Sequence, residues 1–193
     1  MKIILASKSG VRKEILQRNN IIFSVEPSSV DEDEAKKSLM NEGANPREIS
    51  KNLAELKSIK VSNKFPNTLV LGADSVISLE NKLINKPRSR EEAMDILMQL
   101  NNRIHYLISS VCISKNGSMI WNYTDKATLK MKNFTDEELN VYLSKISNEN
   151  LYAYNVYQIE GEGRNLFSDI DGDEDTIMGL PIKRLKEYLN NYK

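Results

Sequence analysis

Two hydroxyls, a glycine and three cations crowd the stretch Ser7-Lys8-Ser9-Gly10-Val11-Arg12-Lys13. A short apolar run, Ile3 to Ala6, leads into it, and Val11, Ile15 and Leu16 follow at helical spacing. The segment therefore reads as strand, tight turn, helix. A helix N-terminus exposes unpaired N–H groups and a partial positive charge, which suits phosphate oxygens. The same residues also suit a serine-capped turn with solvated basic side chains. Asp74 is the second residue of chemical interest, at the end of the apolar strand that runs through Leu69-Val-Leu71. A carboxylate there is costly unless paired, hydrated or metal-bound. Open α/β sheets hold ligands at such strand ends; a turn aspartate capping the Asp74-Ser75 bend is the alternative.

Further charges join these. The run Asp31-Glu-Asp-Glu34 offers oxygen ligands for a hard cation such as Mg²⁺, or else a solvated helix start. Lys57 lies one turn beyond Leu53 on a helix, near its buried face, where an ammonium needs an anionic partner. Lys86-Pro87 is a rigid loop cation. Arg12, Lys13, Lys57 and Lys86 come from distant parts of the chain, and two carboxylate positions accompany them. That combination suits a metal-bound polyphosphate.

The elements that must position these groups follow from periodicity and punctuation. Strands are predicted over Ile3–Ala6, Ile21–Val25 and Thr68–Ser75, with a hairpin from Val76 to Leu83 turning at Glu80-Asn81. Two more strands, Ile104–Ser114 and Met119–Lys132, flank the hairpin turn Asn116-Gly117. Helices begin at Asn45-Pro46 and at the capping boxes Ser89-Arg-Glu-Glu92 and Thr135-Asp-Glu-Glu138. In the first of these, Ile49, Leu53, Leu56 and Lys60 trace one face. Tyr152–Ile159 reads as a strand, followed by a loop to Gly179-Leu-Pro181 and a final helix over Ile182–Leu189. The class is mixed α/β, because strands and helices interleave with hairpins among them.

Bulk properties narrow the function. The 193 residues suffice for one domain with a real core, and 40% apolar with 28% charged residues is ordinary globular composition. Lys plus Arg and Asp plus Glu are 27 each, so charge gives no case for a nucleic-acid or membrane partner. Cys112 is the only cysteine, which excludes an intrachain disulfide, and its apolar strand makes it a core residue. An apolar strand directly after Met1-Lys2, with no leader or long apolar run, gives the expectation of a soluble cytoplasmic protein. His105 has no visible triad partner and reads as structural. Asp169-Ile-Asp-Gly-Asp-Glu-Asp175 misplaces the glycine and final glutamate of an EF-hand loop. Neither G-x-x-x-x-G-K-[ST] nor G-x-G-x-x-G occurs.

Leu5-Ala-Ser-Lys-Ser-Gly-Val-Arg-Lys13 resembles the L-A-S-x-S-P-x-R-R opening of the Maf family of nucleoside triphosphate pyrophosphatases. Val30-Asp-Glu32, Leu53-Ala-Glu-Leu-Lys57, Gly72-Ala-Asp-Ser75 and Asn85-Lys-Pro87 look like its next motifs, in order. Asn102-Arg-Ile-His105, Tyr157-Gln-Ile-Glu-Gly161 and Gly179-Leu-Pro181 resemble the remainder, so the likeness covers essentially the whole chain.

The resemblance implies a single elongated, two-lobed α/β domain over residues 1–193, similar to the inosine triphosphate pyrophosphatase fold, with a central cleft. It implies hydrolysis of a nucleoside triphosphate to monophosphate and pyrophosphate with Mg²⁺ or Mn²⁺, clearing modified or non-canonical nucleotides. Asp74 matches the catalytic carboxylate and, with Glu32, the metal-proximal acids. Ser7, Arg12, Lys13, Lys57 and Lys86 match positions lining the triphosphate. Val11, Ser75 and Glu160 match the positions that choose the base. Glu160 and the following Gly161-Glu-Gly-Arg-Asn-Leu-Phe167 fit members acting on 7-methyl-GTP. Ser75 leans instead toward the dTTP/UTP group, and Val11 fits neither. Gly10 stands where the family has Pro. The partner implied is a small nucleotide, not a nucleic acid or membrane, and a homodimer is compatible. The family is also associated with septum formation, which leaves a non-catalytic nucleotide-binding regulator as the rival from another class.

Overall fold

The structure, a computed structural model, describes residues 2–192. Seven strands form one mixed sheet in the order β2-β1-β3-β5-β6-β7, with β4 also on β3. They are β1 (Lys2–Leu5), β2 (Ile22–Val25), β3 (Val70–Leu79), β4 (Lys82–Ile84), β5 (Ile104–Lys115), β6 (Ser118–Met131) and β7 (Phe167–Asp171). β2, β1 and β3 run parallel, while β3, β5, β6 and β7 are antiparallel neighbours. Both hairpin turns, Glu80-Asn81 and Asn116-Gly117, have positive φ at their two central residues, the conformation that matches strand twist.

The helices are α1 (Gly10–Arg18), α2 (Glu32–Asn41), α3 (Pro46–Ser62), α4 (Arg90–Leu100), α5 (Asp136–Ser144), α6 (Asn148–Tyr154), α7 (Glu174–Ile177) and α8 (Ile182–Asn191). Capping boxes at Asn45/Glu48 and Thr135/Glu138 start α3 and α5 as their sequences require. Ser89 caps α4, but Glu92 turns its carboxylate to the Arg88 N–H instead of closing the box. None of the helices among the described residues is long and apolar enough to cross a membrane.

Along β3 the side chains alternate between two faces, and each face has its own consequence. Even-numbered residues meet α3, whose small side chains allow unusually close packing. A Cβ added at Gly72 would lie 2.1 Å from the Ala54 carbonyl oxygen and 2.9 Å from the Ser58 Cβ. Odd-numbered residues feed two separate apolar clusters. Leu71 and Ala73 pack with Ile15, Leu16 and Leu185 of α1 and α8. Ile77 and Leu79 pack with Leu97, Leu139 and Leu151 of α4, α5 and α6. Ser75 falls between the two.

Four expectations need correction. Asp74 does not end a strand: β3 continues five residues beyond it, to Leu79, because Val76 and Ile77 bury on both faces. On α3 the buried face runs through Ile49, Leu53, Lys57 and Val61, whereas Leu56 is 42% exposed, one position off that stripe. Tyr152–Ile159 is not a strand. Ser147 caps α6 through the Asn150 N–H, and the helix stops at Asn155 with φ +75°, after which the chain is irregular. The expected loop before Gly179 in turn contains β7 and α7.

Candidate active site

A gap in the sheet creates the site. β1 pairs with β3 only at Val70 and Leu71, and β4 joins that edge from Ile77 to Leu79. Between Gly72 and Val76 that edge of β3 has no strand partner among the described residues, so groups from both faces of β3 reach one opening. A cleft of about 510 Å³ forms there, a size typical of small-molecule sites. Ser7, Val11, Arg12, Glu32, Lys57, Asp74, Ser75, Lys86 and Glu160 all line it. Lys13, the remaining expected residue, does not. It follows Arg12 on α1, and neighbouring helical positions point about 100° apart.

Asp74 and Lys57 form its floor. Both are buried, at 4% and 5% exposure, and Lys57 Nζ donates to Asp74 Oδ1 at 2.8 Å. The same ammonium lies 2.9 Å from Glu32 Oε1. Asp74 Oδ2 is buried with no hydrogen-bond partner among the described residues. Burial alone would raise the Glu32 pKa, but Lys57, Lys36 and Lys86 outweigh it and hold the carboxyl below its ordinary value. At the mouth, Lys86 Nζ donates to the Ala153 carbonyl at 2.6 Å, near the end of α6. Loss of hydration in the cleft, with Arg12 and Lys36 nearby, draws the Lys86 ammonium below its ordinary pKa.

The opposite wall is the first loop and α1. Ser9 caps the helix by accepting the Arg12 N–H. Arg12 then reaches across the cleft. Its Nε donates to the Gly179 carbonyl at 2.9 Å, Nη1 to Ser7 Oγ at 3.3 Å and Nη2 to Ser75 Oγ at 3.2 Å. A guanidinium has five N–H groups, so one remains on each terminal nitrogen. Ser7 Oγ also accepts the Ser9 N–H, which leaves its own hydroxyl proton free to donate.

The far end of the cleft is built by Tyr154, the last residue of α6, and by the irregular segment after it, including Asn155, Gln158 and Glu160. Glu160 is exposed there, and Val11 lines the cleft while packing against the α1 cluster. Lys36, four residues after Glu32 on α2, also lines the cleft. That i,i+4 spacing was visible in the sequence; Tyr154 was hidden by the strand reading.

His105 does not line the cleft. It is fully buried beneath Tyr157 and Phe167, with Nε2 3.0 Å from the Tyr157 hydroxyl and Nδ1 without a partner. Burial depresses its pKa to about 4. The unfolded chain therefore binds more protons than the folded one between about pH 6.5 and 4, and stability falls as pH drops through that window. His105→Gln should remove about 3 kcal/mol of this acid sensitivity, checked by urea midpoints at pH 7 and pH 4. Equal losses in both proteins would assign the effect elsewhere. Cys112 is likewise buried, with its thiol pKa raised by desolvation. The acidic segment near Asp173 lies outside the cleft, where Asp173 caps α7.

Comparison with known proteins agrees in scope. The family described as Maf-like protein matches residues 2–192. A nucleoside triphosphate pyrophosphatase of Pelagibacter ubique (strain HTCC1062) is 68% identical over 192 residues, covering 100% of this chain and 98% of the relative. Another protein of that name, from Caulobacter vibrioides (strain ATCC 19089 / CIP 103742 / CB 15), is 38% identical, covering 97% and 94%. Among solved structures, the Staphylococcus aureus Ham1 protein aligns over 100% of both chains at 14% identity with a TM-score of 0.48.

Proposed function

The chain belongs to the Maf-like protein family, and on that premise we propose that its cleft hydrolyses a nucleoside triphosphate to the monophosphate and pyrophosphate. The observation that carries this reading is the buried Asp74, whose Oδ1 is held by Lys57 while Oδ2 is unpartnered at the cleft. The free oxygen is an acceptor for the proton of an attacking water. As the water oxygen bonds to phosphorus and the α–β anhydride breaks, that proton passes to Asp74 and pyrophosphate leaves. Arg12 offers its two remaining terminal N–H groups as a fork, and Ser7 its hydroxyl proton, to phosphate oxygens. Lys57 and Lys86 supply further positive charge beside the transferred group.

A divalent cation fits this donor set in a limited way. Among the described residues no group of three or more His, Cys, Asp or Glu stands ready to hold a metal. Asp74 and Glu32 supply two carboxylates, one with a buried oxygen lacking a partner, and Mg²⁺ is commonly held by one or two carboxylates plus substrate phosphates. Such a cation would neutralise charge on the phosphate oxygens.

For the base, Glu160 favours 7-methyl-GTP. An exposed carboxylate lining the cleft complements a cationic methylated guanine and accepts its N–H groups. Pyrophosphate release from 7-methyl-GTP, dTTP and UTP, with Mg²⁺ or Mn²⁺, tests both levels. Turnover should be highest for 7-methyl-GTP. A preference for dTTP or UTP overturns the base assignment alone. No turnover of any triphosphate by folded protein overturns the enzyme reading, and tight binding without hydrolysis would leave a nucleotide-binding regulator.

A further inference from the structure

Register places a polar row across the sheet between the two apolar clusters. Ser75 of β3 pairs with Ser109 of β5, which pairs with Asp125 of β6. Ser109 is fully buried and does not line the cleft. Its Oγ donates to the Thr176 carbonyl at 2.6 Å and lies 2.8 Å from Ser75 Oγ. Thr176 in turn donates its hydroxyl to Asp125 Oδ2 at 2.8 Å.

The direction of these bonds follows from counting protons. A carbonyl only accepts, so the single hydroxyl proton of Ser109 is committed to Thr176. Ser75 must then donate to Ser109, and it can meet Arg12 only as an acceptor. The chain runs one way, from the Arg12 guanidinium through Ser75 and Ser109 to the Thr176 carbonyl. Ser109 also ties down α7, from which the backbone continues through Met178 to Gly179, whose carbonyl holds Arg12 Nε. Two of the three protein acceptors of Arg12 thus depend on Ser109.

We propose that Ser109 is a positioning residue that fixes the Arg12 fork, and that Ser75 serves this chain instead of reading the base. With its only proton spent on Ser109, Ser75 has none to give a nucleobase. This rests on the phosphate-binding role of Arg12 proposed above.

Ser109→Ala should lower kcat/KM about ten-fold, the size of one lost hydrogen bond, for every triphosphate in the panel. Ser75→Ala should likewise leave the ratio between bases unchanged. Ser109→Thr, which keeps the hydroxyl, should recover most of the loss, and Ser109→Val, of similar shape without it, should not. In an Arg12→Lys background Ser109→Ala should add little, because an ammonium has no planar fork to orient. A purely structural serine would cost the same in both backgrounds. Full additivity, or a changed base ratio, overturns the proposal. If the Thr or Val variant fails to fold, the Ala and Lys cycle decides alone. The same cycle read in affinity for inorganic triphosphate separates the two readings. Non-additive weakening with an inactive wild type fails only the enzyme reading; additive losses with an active wild type fail only this one.

Discussion

Asp74→Asn should reduce kcat about a thousand-fold, within the range that a positioned general base contributes, while nucleotide binding persists. Asn keeps an oxygen for Lys57, so the fold should survive, but its NH₂ cannot accept a proton where Oδ2 now stands unpartnered. The cations Arg12, Lys57 and Lys86 remain, and one negative charge opposing the triphosphate is gone. Affinity measured by calorimetry should therefore hold or tighten as turnover collapses. Wild-type kcat in this variant would remove Asp74 from the role of base.

Lys57→Met should be the most damaging substitution for stability. It leaves the Asp74 carboxylate, 4% exposed, with neither oxygen paired. Removing one member of a buried pair costs about 3–5 kcal/mol. For a chain of this size that corresponds to a fall in Tm of roughly 10 °C. Glu32 also loses its partner, but it is half-exposed and water replaces the ammonium at little cost. The informative comparison is the double variant Lys57→Met/Asp74→Asn, which should recover much of the lost stability by removing the uncompensated charge. A double variant less stable than Lys57→Met would show that the charge was not the cause.

Local rules legible in the sequence largely decided the frame. Asn45-Pro46 and Thr135 started their helices, and Asn116-Gly117 turned its hairpin, because caps and turns depend on neighbouring residues alone. The first loop, Asp74, Glu32, Lys57 and Lys86 met in one cleft as their charges suggested. What depended on tertiary context was not legible. Tyr152, Tyr154 and Val156 alternate like a strand, yet Ser147 caps a helix through the first two. β7, rich in aspartate, forms only because β6 offers it an edge. Ser109 carries no local mark at all; its pairing with Ser75 is a matter of register between strands thirty-four positions apart in sequence.

The irregular run after Asn155 bears on how such a cleft changes over time. Asp74 and Ser75 sit on a ten-residue strand clamped to α3, where even a methyl group at Gly72 collides with backbone. Gln158 and Glu160 belong to no helix or strand, so no ladder of hydrogen bonds fixes their identity. On the assignment proposed above, mutations can rewrite the end given to the base without disturbing the end given to the anhydride. On that assignment a braced tool is joined to an interchangeable fitting, and new substrate ranges can be drifted into, or engineered, from the fitting.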